Sequence, residues 1–188
     1  MANRARLLQA ASTLYAERGA EVPFEDIAQA AGVGRATLYR NFPTREHLHG
    51  AILEQIVEQF ETAAGRLSES PGAFMALFKA VVRIQREHLP LIDLLPHGDG
   101  DDASDDVRAL RARIRTCFRG PLILAQEAGL VRAGLTPEDI RIQLVMLGAV
   151  NRPEVPKSDQ RRAWRLARAA LTSGSPRALN PDARKRRS

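Results

Sequence analysis

Hydrophobic residues recur at intervals of three and four along most of the chain, and glycines, prolines and capping residues divide that pattern into segments of helical length. From Asn3 to Glu17 the apolar face is Leu7, Ala11, Leu14 and Tyr15, ended by Arg18 and Gly19. Phe24, Ile27, Ala28 and Ala31 line one side of a second, short helix, and Gly32 stops it. A third helix, from about Arg35 to Asn41, turns on Leu38. Pro43 breaks that helix and Thr44 is placed to cap a long one, along which Leu48, Ile52, Ile56, Phe60 and Ala64 form a stripe with Leu53, Val57 and Leu67 beside it.

Ser70 and Pro71 read as the cap and first position of a further helix, which is apolar on most sides through Phe74, Met75, Leu77, Phe78, Val81, Val82 and Ile84. LPLIDLLP follows, with Asp93 alone among apolar residues, and then HGDGDDASDD, which reads as a mobile loop. Counting that loop as a calcium site fails, because Ala103 and Leu110 fall where ligands are needed. Asp105 and Asp106 suit the start of a helix whose inward face is Val107, Leu110, Ile114, Cys117 and Phe118. Pro121 is expected to begin another, closed by Gly129. Thr136, Pro137 and Asp139 form a capping pattern ahead of PEDIRIQLVMLGAV, and KSDQRRAWRLARAALTSG follows the connection NRPEVP. The fold class is all-α, with about nine helices.

The stretch Pro23 to Phe42, PFEDIAQAAGVGRATLYRNF, is the segment whose residue order implies a partner. Two short helices around a glycine turn make a helix-turn-helix, whose second helix enters the DNA major groove. With Leu38 inward, Ala36, Thr37, Tyr39 and Arg40 turn outward, and Arg35 reaches from the first turn. These are DNA-reading types: arginine pairs bidentately with guanine, threonine offers a hydroxyl or a methyl, alanine meets a thymine methyl, and tyrosine suits a phosphate. Between Gly32 and Arg45 stand Arg35, Arg40 and Arg45 and no acid. An ordinary helical hairpin in an all-α core would carry the same glycine turn.

DIAQAAGVGRATLYRNFPTREHL resembles the DNA-binding domain of the TetR family of transcriptional regulators, with its acid-Ile-Ala pair, Gly-Val turn, Thr-Leu-Tyr-x-x-Phe recognition helix and following Thr-Arg-Glu-x-Leu. The resemblance covers about the first quarter of the chain. It implies that Tyr39 and Arg45 hold phosphates, that Arg35, Ala36, Thr37 and Arg40 lie on the base-reading surface, and that the remainder is a helical domain that dimerises and binds a small molecule. Two positions depart from the pattern. Pro23 and Gly34 stand where the family often has capping Thr and Ser, which removes one or two phosphate contacts but is compatible with the fold.

Composition adds less than the net charge of +6 in 188 residues suggests. Ten Lys and Arg against two Asp from Lys157 onward put +8 at the C-terminal end and leave −2 for everything before it. The basic excess therefore sits away from the reading head, and Arg184 to Arg187, on a tail expected to be disordered, would meet phosphates without regard to sequence. Cys117 is the single cysteine, so no internal disulfide exists, and its spacing is that of a buried apolar residue. His47 and His49 are two apart and cannot share a helical face, which argues against a metal pair. Nothing resembles a signal peptide or a membrane span, and a cytoplasmic location is expected.

The expected organisation is a DNA-binding domain in 1–43, an effector-binding and dimerisation domain in 44–174, and a tail in 175–188. The long helix from Thr44 belongs to both domains. A ligand pocket is expected among Phe60, Phe78, Ile84, Phe118 and Met146. The apolar circumference of 137–150 exceeds one core's needs, so a dimer interface is expected through Ile140, Leu144 and Leu147 with Trp164, Ala167 and Leu171. No cofactor is implied, and no spacing proposes a catalytic nucleophile or paired acid and base. The function expected is a sequence-specific DNA-binding regulator, a repressor by the resemblance, released from a palindromic operator by a small molecule and acting as a homodimer without membrane contact. The competing reading is a helical protein-interaction adaptor that does not bind DNA.

Overall fold

The computed structural model describes residues 2–19, 21–67, 69–92 and 105–172. Their elements are α1 (Ala2–Arg18), α2 (Phe24–Ala30), α3 (Arg35–Asn41), α4 (Arg45–Gly65), α5 (Ala73–Glu87), α6 (Leu89–Ile92), α7 (Asp105–Glu127), α8 (Pro137–Val150) and α9 (Lys157–Leu171). The all-α expectation holds. Asp93, the aspartate-rich loop before Asp105 and the tail 175–188 lie outside the described residues.

α1 packs on α2, α3 and α4, closing a small head around Leu7, Ala11, Tyr15, Ile27, Leu38 and Phe42, all buried. Glycine sets two of its corners. Gly19 ends α1 at φ +85°, and Gly32 turns α2 into α3 at φ +61°, conformations in which a Cβ would crowd the backbone. α4 then leaves the head and runs between α5 and α7, with Leu48, Ile52, Leu53, Ile56, Val57 and Phe60 buried along it. The buried cluster is continuous from Leu7 on α1 to Leu171 on α9, so head and body share one core through α4.

Local chemistry fixes several ends as expected. Thr44 caps α4 by accepting from the His47 N–H. Thr136 and Asp139 form a reciprocal capping box at α8, the hydroxyl accepting from the Asp139 N–H at 3.2 Å and the carboxylate accepting from the Thr136 N–H at 2.8 Å. Gln126 holds the following loop by donating to the carbonyls of Arg132, Ala133 and Leu135, and buried Gln160 holds 152–155 by donating to those of Arg152 and Val155.

Three boundaries differ from the sequence pattern. α5 begins at Ala73 with Gly72 as its cap, so Ser70 and Pro71 precede the helix. LPLI forms a short helix of its own. Pro121 does not start a new helix but lies inside α7, which runs through it. Proline removes one helical hydrogen bond and costs about 3 kcal/mol in a helix interior. Leu122 and Ala125 continue the buried face of Phe118, and a fully buried leucine alone returns about 1.5–3 kcal/mol. Packing on one continuous face thus offsets the break that proline would otherwise impose.

Candidate nucleic-acid interface and ligand cavity

The reading head presents α3 as its outer element. Seven residues at 1.5 Å rise give a rod of about 10 Å, short enough to lie in a major groove of about 12 Å width. Leu38 is fully buried and anchors the helix from below, while Arg35, Ala36, Tyr39 and Arg40 are exposed and Thr37 is half-buried. Neither Pro23 ahead of α2 nor Gly34 ahead of α3 supplies a side-chain cap.

The outward side chains are arranged by one another. Arg40 donates to the Thr37 hydroxyl at 3.2 Å, and Asn41 donates to the Thr37 carbonyl at 2.7 Å. Arg35 pairs with Glu25 at 2.8 Å and lies over the Tyr39 ring at 5.7 Å, and Tyr39 meets Phe24 edge-on. An ion pair this exposed contributes little to stability, so Arg35 can leave Glu25 for DNA at small cost. Arg45 is set differently from the other five. Its guanidinium donates to the Val22 carbonyl at 2.7 Å and lies over Phe24, tying the start of α4 to the entry of α2. Sequence reasoning also missed Arg6, which donates to the Gly32 carbonyl at 3.1 Å and buttresses the turn. No local pattern signals either contact, because each spans more than twenty residues.

His49 packs edge-on against Tyr15, and burial, then neighbouring Arg45, holds its imidazole below the usual histidine range. No cluster of three or more metal-ligating side chains exists among the described residues. Burial pushes the half-buried Cys117 thiol up, away from a reactive thiolate.

Below the head, α4, α5, α7 and α8 enclose a cavity of about 350 Å³. Of the residues expected at a ligand pocket, Phe60 and Phe118 line this cavity and Phe78, Ile84 and Met146 do not. On α5 the cavity residues are Val81 and Gln85, and Phe78 instead stacks on Trp164 at 5.9 Å. On α8 they include Ile140, Leu144 and Gly148, which leaves Met146 on the outer side with 56% of its surface exposed. The proposed dimer residues shift for the same reason of helical phase. Ile140, Leu147, Ala167 and Leu171 are buried within the protomer, Leu144 lines the cavity, and Trp164 is half-buried against Phe78. The exposed apolar residues of α8 and α9 are Ile142, Val145, Met146 and Leu166.

Residues 7–52 match the sequence profile described as bacterial regulatory proteins, tetR family. A solved TetR transcription regulatory protein from Mycobacterium vanbaalenii superposes with a TM-score of 0.63 and 29% identity, covering 91% of this chain and 95% of that one. Residues 7–52 belong to the tetR family. Among curated relatives, the HTH-type transcriptional repressor KstR2 of Mycolicibacterium smegmatis is 32% identical over 87 residues, 42% of this chain and 42% of that protein. The HTH-type transcriptional regulator EthR of Mycobacterium tuberculosis is 33% identical over 67 residues, 35% of this chain and 31% of that protein. These matches span less than half the length of either curated relative. The matched residues 7–52 contain α2 and α3 whole, with most of α1 and the start of α4. No described helix is long and apolar enough to cross a membrane.

Proposed function

We propose that this TetR-family regulator is a homodimeric repressor that reads a palindromic operator through α3 and leaves it when a small molecule fills the cavity. The observation that carries the reading is the course of α4. It starts at Thr44 beside the recognition helix, and its Leu53, Ile56, Val57 and Phe60 form one wall of the cavity. Arg113 of α7 holds Glu54 and Glu61 of α4 together, with 2.7 Å to the latter, so a displacement of α7 pulls on the helix that positions the head. A ligand lowers DNA affinity only by its preference for the non-binding arrangement.

In this reading Arg35, Ala36, Thr37 and Arg40 meet base edges and Tyr39 meets a phosphate. Arg45 supports the head from within and adds at most a backbone contact. The functional division falls at 43/44, although the core is shared. The dimer forms through the outward faces of α8 and α9, which support it by exposing Ile142, Met146 and Leu166.

Selection of bound duplexes from a randomised DNA pool tests the proposal. Enrichment of an inverted repeat, with half-sites about one helical turn or a modestly larger distance apart, is the expected result. A pool that shows no enriched sequence after repeated rounds contradicts it.

A further inference from the structure

α5 and α9 both pack on α8 and leave an open groove of about 1120 Å³ between them, bridged beneath where Phe78 stacks on Trp164. Two rows of cations line it. Lys79, Arg83 and Arg86 recur at i, i+4 and i+7 on α5, and Lys157, Arg161 and Arg165 at i, i+4 and i+8 on α9, so each row keeps to one helical face. At 1.5 Å per residue the rows run about 10 and 12 Å. All six are exposed, and among the described residues none of them makes an ion pair, while Lys157 donates to the Gln160 Oε1 at 3.2 Å. The acids of these two helices, Glu87 and Asp159, are not among the residues that line the groove. A helix face that is merely solvated commonly mixes the two signs. Six like charges on two walls instead repel one another and favour an acidic occupant.

The floor narrows the choice of occupant. It consists of Ala80, Val82, Leu147 and Trp164, aliphatic apart from one indole that already stacks on Phe78. Single-stranded nucleic acid uses successive aromatic side chains as platforms for its bases. Small-molecule sites hold roughly 300–1000 Å³, less than this open groove. A second copy of the chain, paired face to face, would set like charge against like. An amphipathic helix, by contrast, lays anchors at i, i+3, i+4 and i+7 on an aliphatic floor, and two to three turns of about 5.4 Å match the length of the cation rows. We propose that the groove docks an acidic amphipathic helix of a partner protein, with its aliphatic face on Ala80, Val82, Leu147 and Trp164 and its carboxylates against the two rows. The groove shares no lining residue with the cavity of α4, α5, α7 and α8, so the proposal does not depend on the effector reading.

Trp164 is the only tryptophan of the chain, so its fluorescence reports occupancy of the groove. Phage-displayed helical peptides of about 15 residues, randomised on all faces, are selected against the full chain at physiological salt, and the enriched peptides are then titrated. Enriched sequences should carry Leu, Ile or Phe at i, i+3, i+4 and i+7 flanked by Asp and Glu, and should change the Trp164 emission on binding. Each should bind at least tenfold more tightly than its counterpart with Gln or Asn in place of the acids. The Arg83→Glu, Arg161→Glu variant should lose that tenfold and recover it toward peptides whose acids are replaced by Lys, which also shows that the variant is folded. Enrichment of no sequence or of sequences without acids, equal binding of acidic peptides by the charge-reversed variant, or binding that leaves Trp164 emission unchanged would each overturn the proposal. So would tighter binding of dodecathymidylate than of any peptide by the same emission change, which would assign the groove to nucleic acid. Conversion of dimer to monomer by the charge reversal would assign it to a second copy and overturn the proposal as well.

Discussion

Replacing Gly32 by alanine probes the turn on which the recognition helix depends. Gly32 sits at φ +61°, where an L-residue loses roughly 1–2 kcal/mol relative to its ordinary conformations. The added Cβ would also stand 2.6 Å from the Arg6 Nη2. That atom is the far end of a flexible side chain and can swing away, so the collision itself is cheap, but the swing gives up the Arg6 bond to the Gly32 carbonyl, about 0.5–1 kcal/mol for a solvent-exposed contact. The sum is about 1.5–3 kcal/mol, below the roughly 5–15 kcal/mol that a domain of ordinary stability holds, so the variant should fold. Urea denaturation of Gly32→Ala beside Arg6→Ala separates the two contributions, because Arg6→Ala removes only the smaller. Operator affinity should fall in Gly32→Ala by more than the change in folded fraction explains, since α3 is re-aimed relative to α2. A Gly32→Ala variant within 0.5 kcal/mol of the parent, or one whose whole loss Arg6→Ala reproduces, would refute the backbone reasoning.

Met146→Glu and Leu166→Glu should each shift sedimentation at micromolar concentration from dimer to monomer, while Leu144→Met, on the cavity side, leaves the dimer intact; dimers that tolerate both glutamates would place the interface elsewhere. Arg113→Ala should change stability little, as loss of a solvent-screened ion pair does, yet reduce the ligand-induced change in operator affinity severalfold, and an undiminished response would remove α7–α4 pulling as the route. His49 and His88 are both held below the usual histidine range, burial being the main cause in each. The unfolded chain therefore takes up those protons first, and stability should decline as pH falls below the unfolded value of about 6.5 toward the lower folded values. Denaturation at pH 7.5 and 5.5 should show that decline, reduced in the His49→Gln, His88→Gln variant, and an unchanged slope would contradict it.

What could be read from the residues alone was whatever a few neighbours decide. The Thr136–Asp139 box, the Thr44 cap and the glycines at 19, 32 and 129 are local chemistry, and each stands at the helix end where its pattern put it. Pro121 is the opposite case, a local break overridden by the burial of Leu122 and Ala125 one and two turns beyond Phe118. Helical phase was the other failure. Apolar residues surround most of α8, so spacing could not say that Leu144 turns to the cavity and Met146 to solvent. Only the positions of α5, α7 and α9 decide that. The contacts of Arg6 and Arg45 were hidden for a related reason, since each guanidinium bonds a backbone carbonyl distant in sequence. The outward set on α3 was legible because a single buried leucine fixes the phase of so short a helix.

Competition binding of the full chain to its selected inverted repeat and to a scrambled duplex of the same composition, at one physiological salt concentration, tests the recognition role of α3 most directly. A preference of about 10³ or more for the repeat is expected, and Thr37→Ala or Arg40→Ala should each remove about 1–3 kcal/mol from operator binding while hardly changing binding to the scrambled duplex. Equal affinity for the two duplexes, or equal losses on both in the two variants, would mean that α3 is not the surface that reads DNA.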